Sequence, residues 1–446
     1  MGHSGNIWIA RGLRRVGLLL LLISVATEEF LLSQSSAKTV RHHQVAGADH
    51  SAELTQAETA IEKKDYATAE SLLQKFVDSD PGNYQAWYDL GFVENAMGKK
   101  EESIAAYRKS VAAKADVFES NLNLGLMLAR SGQPEAEQFL RAATKLKPTA
   151  KVEDGQFRAW LSLAQVLADS KPDEALEAFN RASALKPSDP EPHLSAGQLL
   201  ARQERVADAE REYKQALTQD PSSSDALSGL ANIYMRGKRF AEAQEILGRL
   251  VALHPEDATT HMQLGRVFAA QGNFDKAVPE LQMSLKLAAG DEAVQRDLAD
   301  VYTKATRYGD AEALYRSLLA EKAQDAELHL AFAETLLKQR KFPEAQEELL
   351  ATVRLKPDLA AAYGDLAVAA SENKNYDLAI KALDARAKLT PEIPVSYFLR
   401  ATAYDHLRDY KLAAENYHRF LEVANGKFPD QEWQARHRLI AIEPKK

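Results

Sequence analysis

Small and apolar residues recur along this chain with a fixed step. Seven alanines, Ala209, Ala243, Ala277, Ala311, Ala345, Ala379 and Ala413, stand 34 residues apart without a slip. An aromatic keeps the same step three residues earlier, at Phe240, Phe274, Tyr308, Phe342, Tyr376 and Tyr410, with Val206 holding the place one repeat before. A small residue keeps it twelve residues earlier, at Gly197, Ala231, Gly265, Ala299, Ala333, Ala367 and Ala401. A period of this length marks a tandem array in which each unit buries its apolar face only against its neighbours. Where small residues recur beside large ones, two helices can approach closely and each large side chain has a gap to fill. Prolines at 187, 221, 255, 357 and 391 stop one helix before the next begins. The pattern therefore predicts an all-α chain of helix pairs.

Small residues at unit positions 8 and 20, with proline at 32, resemble the tetratricopeptide repeat. Trp87, Leu90 and Gly91 match the signature of its first helix, as do Leu227, Leu230, Ala231 and Tyr234. Eleven units fit the register, at 50–83, 84–117, 118–150, 157–189, 190–223, 224–257, 258–291, 292–325, 326–359, 360–393 and 394–427. Departures are local. Glu53 and Gln56 occupy apolar places in the first unit, residues 151–156 are inserted between the third and fourth units, and Ala289 and Ala323 replace the closing proline. The resemblance implies a right-handed superhelical solenoid that serves as an interaction scaffold. After the array, Asp430 can cap a last helix on which Trp433, His437 and Ile440 share a face, expected to close the apolar end of the stack within residues 428–446.

Composition adds the compartment. Arg11, Arg14 and Arg15 precede an apolar run at 16–26 that ends in Ser24-Val25-Ala26, the small-residue spacing read by a signal peptidase. The run is too short for the roughly 20 residues a spanning helix needs, so residues 1–26 read as an export signal and 27–49 as a flexible lead. An uncleaved segment would instead tether the chain to a membrane. Removal of three arginines and no acid moves the formal charge from −8 to −11. A protein that acidic is a poor general binder of nucleic acid. With no cysteine, disulfides and thiolate chemistry are excluded.

A search for reactive constellations finds no HExxH, no phosphate-binding glycine loop with its Lys-Ser/Thr, no GxSxG elbow and no EF-hand loop. His42-His43 lacks a third ligand at sensible spacing. His193, His261 and His329 all occupy unit position 4, where Trp87 and Trp160 stand elsewhere, which makes them packing residues. No catalytic residue, cofactor or metal is therefore expected.

What such an array does is bind. At about 100° per residue, positions 4, 7, 8 and 11 of the first helix share one side and positions 2, 5, 9 and 13 the other. By the resemblance, the second set lines a concave groove that receives extended peptides or partner helices. It comprises Arg202 in the fifth unit, Asn232 and Arg236 in the sixth, Met262 and Arg266 in the seventh, and Arg296 and Lys304 in the eighth, with Tyr88, Phe92 and Phe398 toward the ends. Position 13 falls in the last helical turn, where a cation gains about 0.3–1 kcal/mol from the helix dipole without any ligand. Arg266 and Arg296, at positions 9 and 5, escape that explanation. Asn232 and Arg236 resemble part of the clamp with which some family members hold a C-terminal carboxylate, although the full set is not matched. The expected function is an exported, non-enzymatic scaffold for proteins or peptides. The alternatives are a membrane-tethered assembly or co-chaperone factor for envelope or secretion machinery, and an enzyme or enzyme accessory subunit.

Overall fold

The computed structural model describes residues 52–443. The expected export segment, the lead with His42-His43, and residues 444–446 lie outside the described residues. Twenty-three α-helices and no strand are present among them. The chain divides into two compact halves, one ending at Gly229 and the other beginning at Leu230.

The first half contains α1 (Ala52–Glu62), α2 (Tyr66–Ser79), α3 (Tyr84–Ala96), α4 (Lys100–Ala113), α5 (Phe118–Arg130), α6 (Ala136–Lys145), α7 (Val152–Leu167), α8 (Pro172–Leu185), α9 (Glu191–Arg202) and α10 (Val206–Gln219). Helix α11 (Ser224–Arg236) spans the boundary. The second half continues with α12 (Phe240–Leu253), α13 (Ala258–Ala270), α14 (Phe274–Leu287), α15 (Glu292–Lys304), α16 (Tyr308–Glu321), α17 (Ala326–Lys338), α18 (Phe342–Leu355), α19 (Ala360–Glu372), α20 (Tyr376–Leu389), α21 (Pro394–His406), α22 (Tyr410–Ala424) and α23 (Pro429–Ile442). Within each half every helix packs chiefly on the one before and the one after it, as a stack of helix pairs requires.

Close helix approach explains the small-residue spine. All seven alanines of the 34-residue series are fully buried. At Gly265 an added Cβ would sit 2.7 Å from Leu281 Cγ, and at Gly197 it would sit 2.8 Å from the Tyr213 ring. Each first helix thus leaves a notch that a large side chain of the second helix fills. The turn between paired helices carries its own repeat: Lys238, Gly272, Thr306, Arg340, Lys374 and Arg408 all have positive φ. Asp257, Asp291 and Asp325 then cap α13, α15 and α17 by accepting backbone N–H groups.

The local departures have structural reasons. In α1, Glu53 and Gln56 are exposed and Leu54, Ala57 and Ile61 form the core instead. The inserted stretch becomes the extra first turn of α7 after a left-handed Lys151, with Gly155 packed under Pro148. Helix α23 buries Ala435 and Leu439 beside Phe420 and Tyr417. The face that Trp433 and Ile440 share does not close the stack: they are 61% and 73% exposed, because Ala435 and Leu439 take the inward side. Asp430 lies in the first turn of α23, and the residue at the cap itself is Phe428.

Candidate functional site

Three stripe residues lie in the first half. Arg202 ends α9, is half exposed, and forms an ion pair with Asp169 Oδ1 at 3.0 Å. Tyr88 is a core residue, 2% exposed, with its ring 5.6 Å from that of Tyr107. Asn123 Nδ2 donates to the Tyr88 hydroxyl at 2.9 Å and to the Tyr107 hydroxyl at 3.4 Å. Burial, helped by the Tyr107 phenol and by Asp89 and Glu119, pushes the Tyr88 phenol well above its ordinary pKa. Phe92 is half-buried against the cluster of Leu54, Leu73 and Leu90. These two aromatics pack within the protein, and Leu122 and Leu126 of α5, on the same stripe, are buried as well. The helical wheel alone does not open this face in the first half, since the longer α7 packs its Ala159 and Leu163 into the cluster that holds them.

In the second half, Asn232, Arg236 and Lys304 are exposed and Met262 is half-buried. Arg236 and Lys304 stand in the last turns of their helices, where the dipole argument applies to them. Arg266 and Arg296 are not bare cations. Arg266 Nε donates to Asp297 Oδ2 on the next first helix, α15. Arg296 donates through Nε and Nη2 to Glu292 Oε1 at 3.0 and 2.6 Å, and also to Asp325, the N-cap of α17. Each arginine therefore joins one unit to the next, and the chain itself supplies the acid that a ligand would otherwise bring to it. Burial raises the Asp297 carboxyl despite the Arg266 guanidinium beside it. Phe398 is half-buried, its ring 5.2 Å from Phe420 and 6.1 Å from Tyr417, so it belongs to the core closed by α23.

The position-4 histidines are clasped. Nδ1 of His193 and of His261 lies 2.7 Å from Glu212 Oε2 and Glu280 Oε2 respectively, and Nδ1 of His329 lies 2.5 Å from Glu348 Oε2. Nε2 meets Ser183 Oγ at 2.8 Å, the Pro255 carbonyl at 3.0 Å and the Ala323 carbonyl at 3.1 Å in the same order. With both ring nitrogens engaged, His261 and His329 tie their helix pairs to the preceding turn, and His193 ties its pair to the preceding helix. No three-residue metal cluster occurs among the described residues.

Two features escape a reading by sequence position. Glu94, 7% exposed on α3, leaves Oε2 without a partner. Burial, with Glu70 and Glu102 adding to it, pushes its carboxyl up to about 7 against a partial offset from Lys99. Arg158, half-buried on α7, has Nη2 shut from water without a partner. Neither has a sequence signal, because its environment is built by side chains of neighbouring helices rather than by its own helix face.

Comparison with known proteins places this geometry. The family model for the cilia and flagella-associated protein 70 C-terminal domain, itself of tetratricopeptide repeats, matches residues 31–298, more than half of the chain. Two tetratricopeptide-repeat models match residues 268–331 and 330–394. The chain is a tetratricopeptide-repeat protein. It is similar to DnaJ homolog subfamily C member 3 of Mus musculus, 32% identical over 117 residues that cover 26% of this chain and 23% of the relative. It is also similar to protein O-mannosyl-transferase TMTC3 of Mus musculus, 22% identical over 37% of this chain and 19% of the relative. The repeat array thus spans about a fifth to a quarter of these curated relatives. Among solved structures it resembles YrrB, a TPR protein with an unusual peptide-binding site, at 21% identity over 42% of this chain and 96% of that one, TM-score 0.39. Yeast Tom70 matches at 14% identity over 88% of this chain and 95% of that one, TM-score 0.33.

Proposed function

We propose that this tetratricopeptide-repeat protein is an exported, non-enzymatic scaffold that binds segments of partner proteins on the stripe of its first helices. Repeats of this family serve in general as protein-interaction scaffolds. The observation that carries the reading is the recurring exposure of polar side chains at fixed positions of successive first helices, at Arg202 in the first half and at Asn232, Arg236 and Lys304 in the second. Arg266 and Arg296 act on this reading as struts that hold the ladder, with ligand contact falling to their exposed neighbours. The test is to screen the purified full chain against a library of extended peptides. Selective capture that Arg236→Ala with Lys304→Ala weakens, at an unchanged unfolding midpoint, supports the reading, and capture indifferent to the pair refutes it.

Export rests on Arg11, Arg14, Arg15 and the run ending Ser24-Val25-Ala26. Intact mass of protein from an extracytoplasmic fraction should show a chain beginning at Thr27. A full-length chain retained by membranes after a salt wash would favour the tethered assembly factor, held by the same run. No described helix is long and apolar enough to cross a membrane.

A further inference from the structure

Among the described residues Asn425 is the one asparagine with a positive φ, at 50°. It stands where α22 ends, and a left-handed residue at that place turns the chain toward α23. Gly426 follows, also at positive φ, and the two form the single Asn-Gly pair in the sequence. Asparagine tolerates this conformation better than most residues that carry a side chain, so the turn itself accounts for the residue type. The surroundings leave the pair reactive. Both residues are exposed, and neither the Asn425 side-chain amide nor the Gly426 N–H is held by a hydrogen bond to any described residue. Gly426 also has no side chain to shield its nitrogen. The chain's single Asp-Gly pair, Asp154-Gly155, gives the contrast. It lies in the first turn of α7, where Gly155 N donates to the Lys151 carbonyl at 2.9 Å and Lys186 Nζ holds Asp154 Oδ1 at 2.5 Å. The fold guards one reactive dipeptide and leaves the other open.

We propose that Asn425 is a site of spontaneous deamidation, with solvent water as the co-reactant, and that its conversion loosens α23 from the end of the stack. The Gly426 backbone nitrogen, having given its proton to solvent, attacks Asn425 Cγ. A Cγ–N bond forms to the main chain, the Cγ–Nδ2 bond breaks, and ammonia leaves with a proton from water. Water then opens the five-membered imide. Addition at Cγ returns an ordinary aspartate, and addition at the main-chain carbonyl leaves isoaspartate, in which the chain runs through Cβ and Cγ. No electron is gained or lost. Either product sets a carboxylate at the C-terminal end of α22, where the helix dipole disfavours negative charge. Isoaspartate also lengthens the main chain by one carbon inside a turn that Lys427 N closes onto the Ala424 carbonyl at 3.0 Å. Directly after this turn Phe428 places its ring 6.1 Å from Phe420, and α23 lays Ala435 and Leu439 beside Phe420 and Tyr417. A longer, charged turn pulls against that contact, which buries few side chains of α23.

The test ages the purified full chain in alkaline and in mildly acidic buffer, with and without guanidinium chloride. Mass spectrometry of the tryptic peptide 420–427 then follows Asn425, and a protein isoaspartate methyltransferase with labelled methyl donor measures the isoaspartate. In the native protein this peptide should gain acid several-fold faster than any other asparagine-bearing peptide, with isoaspartate in excess. The reaction should quicken in alkali, because the attacking nitrogen must lose its proton, and Asp154 should stay in its ordinary linkage. Amide hydrogen exchange over residues 435–442 should be several-fold faster in the converted chain than in the fresh one. Asn425→Gly keeps the left-handed turn and has no amide to lose, so after the same ageing its α23 should exchange as slowly as before. Conversion in guanidinium chloride but not in the native protein would show that the turn protects Asn425 and would overturn the site. Unchanged exchange in the converted chain overturns the loosening of α23, as does exchange that quickens equally in aged Asn425→Gly.

Discussion

Glu94→Gln should stabilise the first half at neutral and alkaline pH and do almost nothing in acid. The side chain is 7% exposed, its Oε2 has no partner, and the nearby Lys99 ammonium is held by Glu70 at 2.6 Å. Its carboxyl pKa stands at about 7 in the fold against 4.5 in the unfolded chain. The folded state therefore holds the proton more tightly than the unfolded state does. As pH rises from 4.5 toward 7 the unfolded chain gives up its proton first, and the fold loses stability across that window, with the full penalty present above it. At about 1.36 kcal/mol per unit the ceiling is roughly 3 kcal/mol, and partial contact with solvent reduces it to about 2 kcal/mol. Glutamine keeps the shape and removes the charge, so the gain should be about 2 kcal/mol at pH 8 and near zero at pH 4.5. Urea melts of wild type and variant at the two pH values, read by tryptophan fluorescence and by far-ultraviolet dichroism, measure the difference. Other titrating groups cancel in that difference. A stability gain independent of pH, or a loss at pH 8, would refute the reasoning.

Three further outcomes follow from the packing. Gly265→Ala should cost about 1–3 kcal/mol, because its Cβ would meet Leu281 at 2.7 Å, whereas Gly248→Ala, with open space around it, should gain about 0.5–1 kcal/mol; equal effects in denaturant melts would contradict the notch. Thr306→Gly should raise stability by roughly 0.5–1 kcal/mol, since a β-branched residue is strained at φ +60°, and a lower midpoint would show that its side chain contributes more than the backbone loses. Arg266→Glu with Arg296→Glu should lower stability by about 1–3 kcal/mol by setting carboxylates beside Asp297, Glu292 and Asp325, with an unchanged urea midpoint counting against the strut role.

The repeat was legible in the sequence because it is written in local terms. The series from Ala209 to Ala413 and the small residues at Gly197 and Gly265 record contacts between helices that are neighbours in the chain, so a short period carries the register of each pair. The same locality marked His193, His261 and His329 as packing positions. The candidate face was legible only as a list of angles on a helix. Whether Tyr88, Phe92 and Phe398 face a groove or a core depends on what packs over them, and the neighbouring helices that bring Tyr107 to Tyr88, Leu54 and Leu73 to Phe92, and Phe420 to Phe398 are not encoded at those positions. Arg266 and Arg296 looked like available charges because Asp297 and Asp325 sit about 30 residues away, beyond any helical pattern. The left-handed turn residues were hidden for a different reason: Lys238, Thr306 and Arg340 take a conformation that glycine usually signals, and close pairing of the flanking helices holds them there. Local periodicity determined the helix pairs, and contact between successive units decided that the charges of Arg266 and Arg296 are already met within the chain.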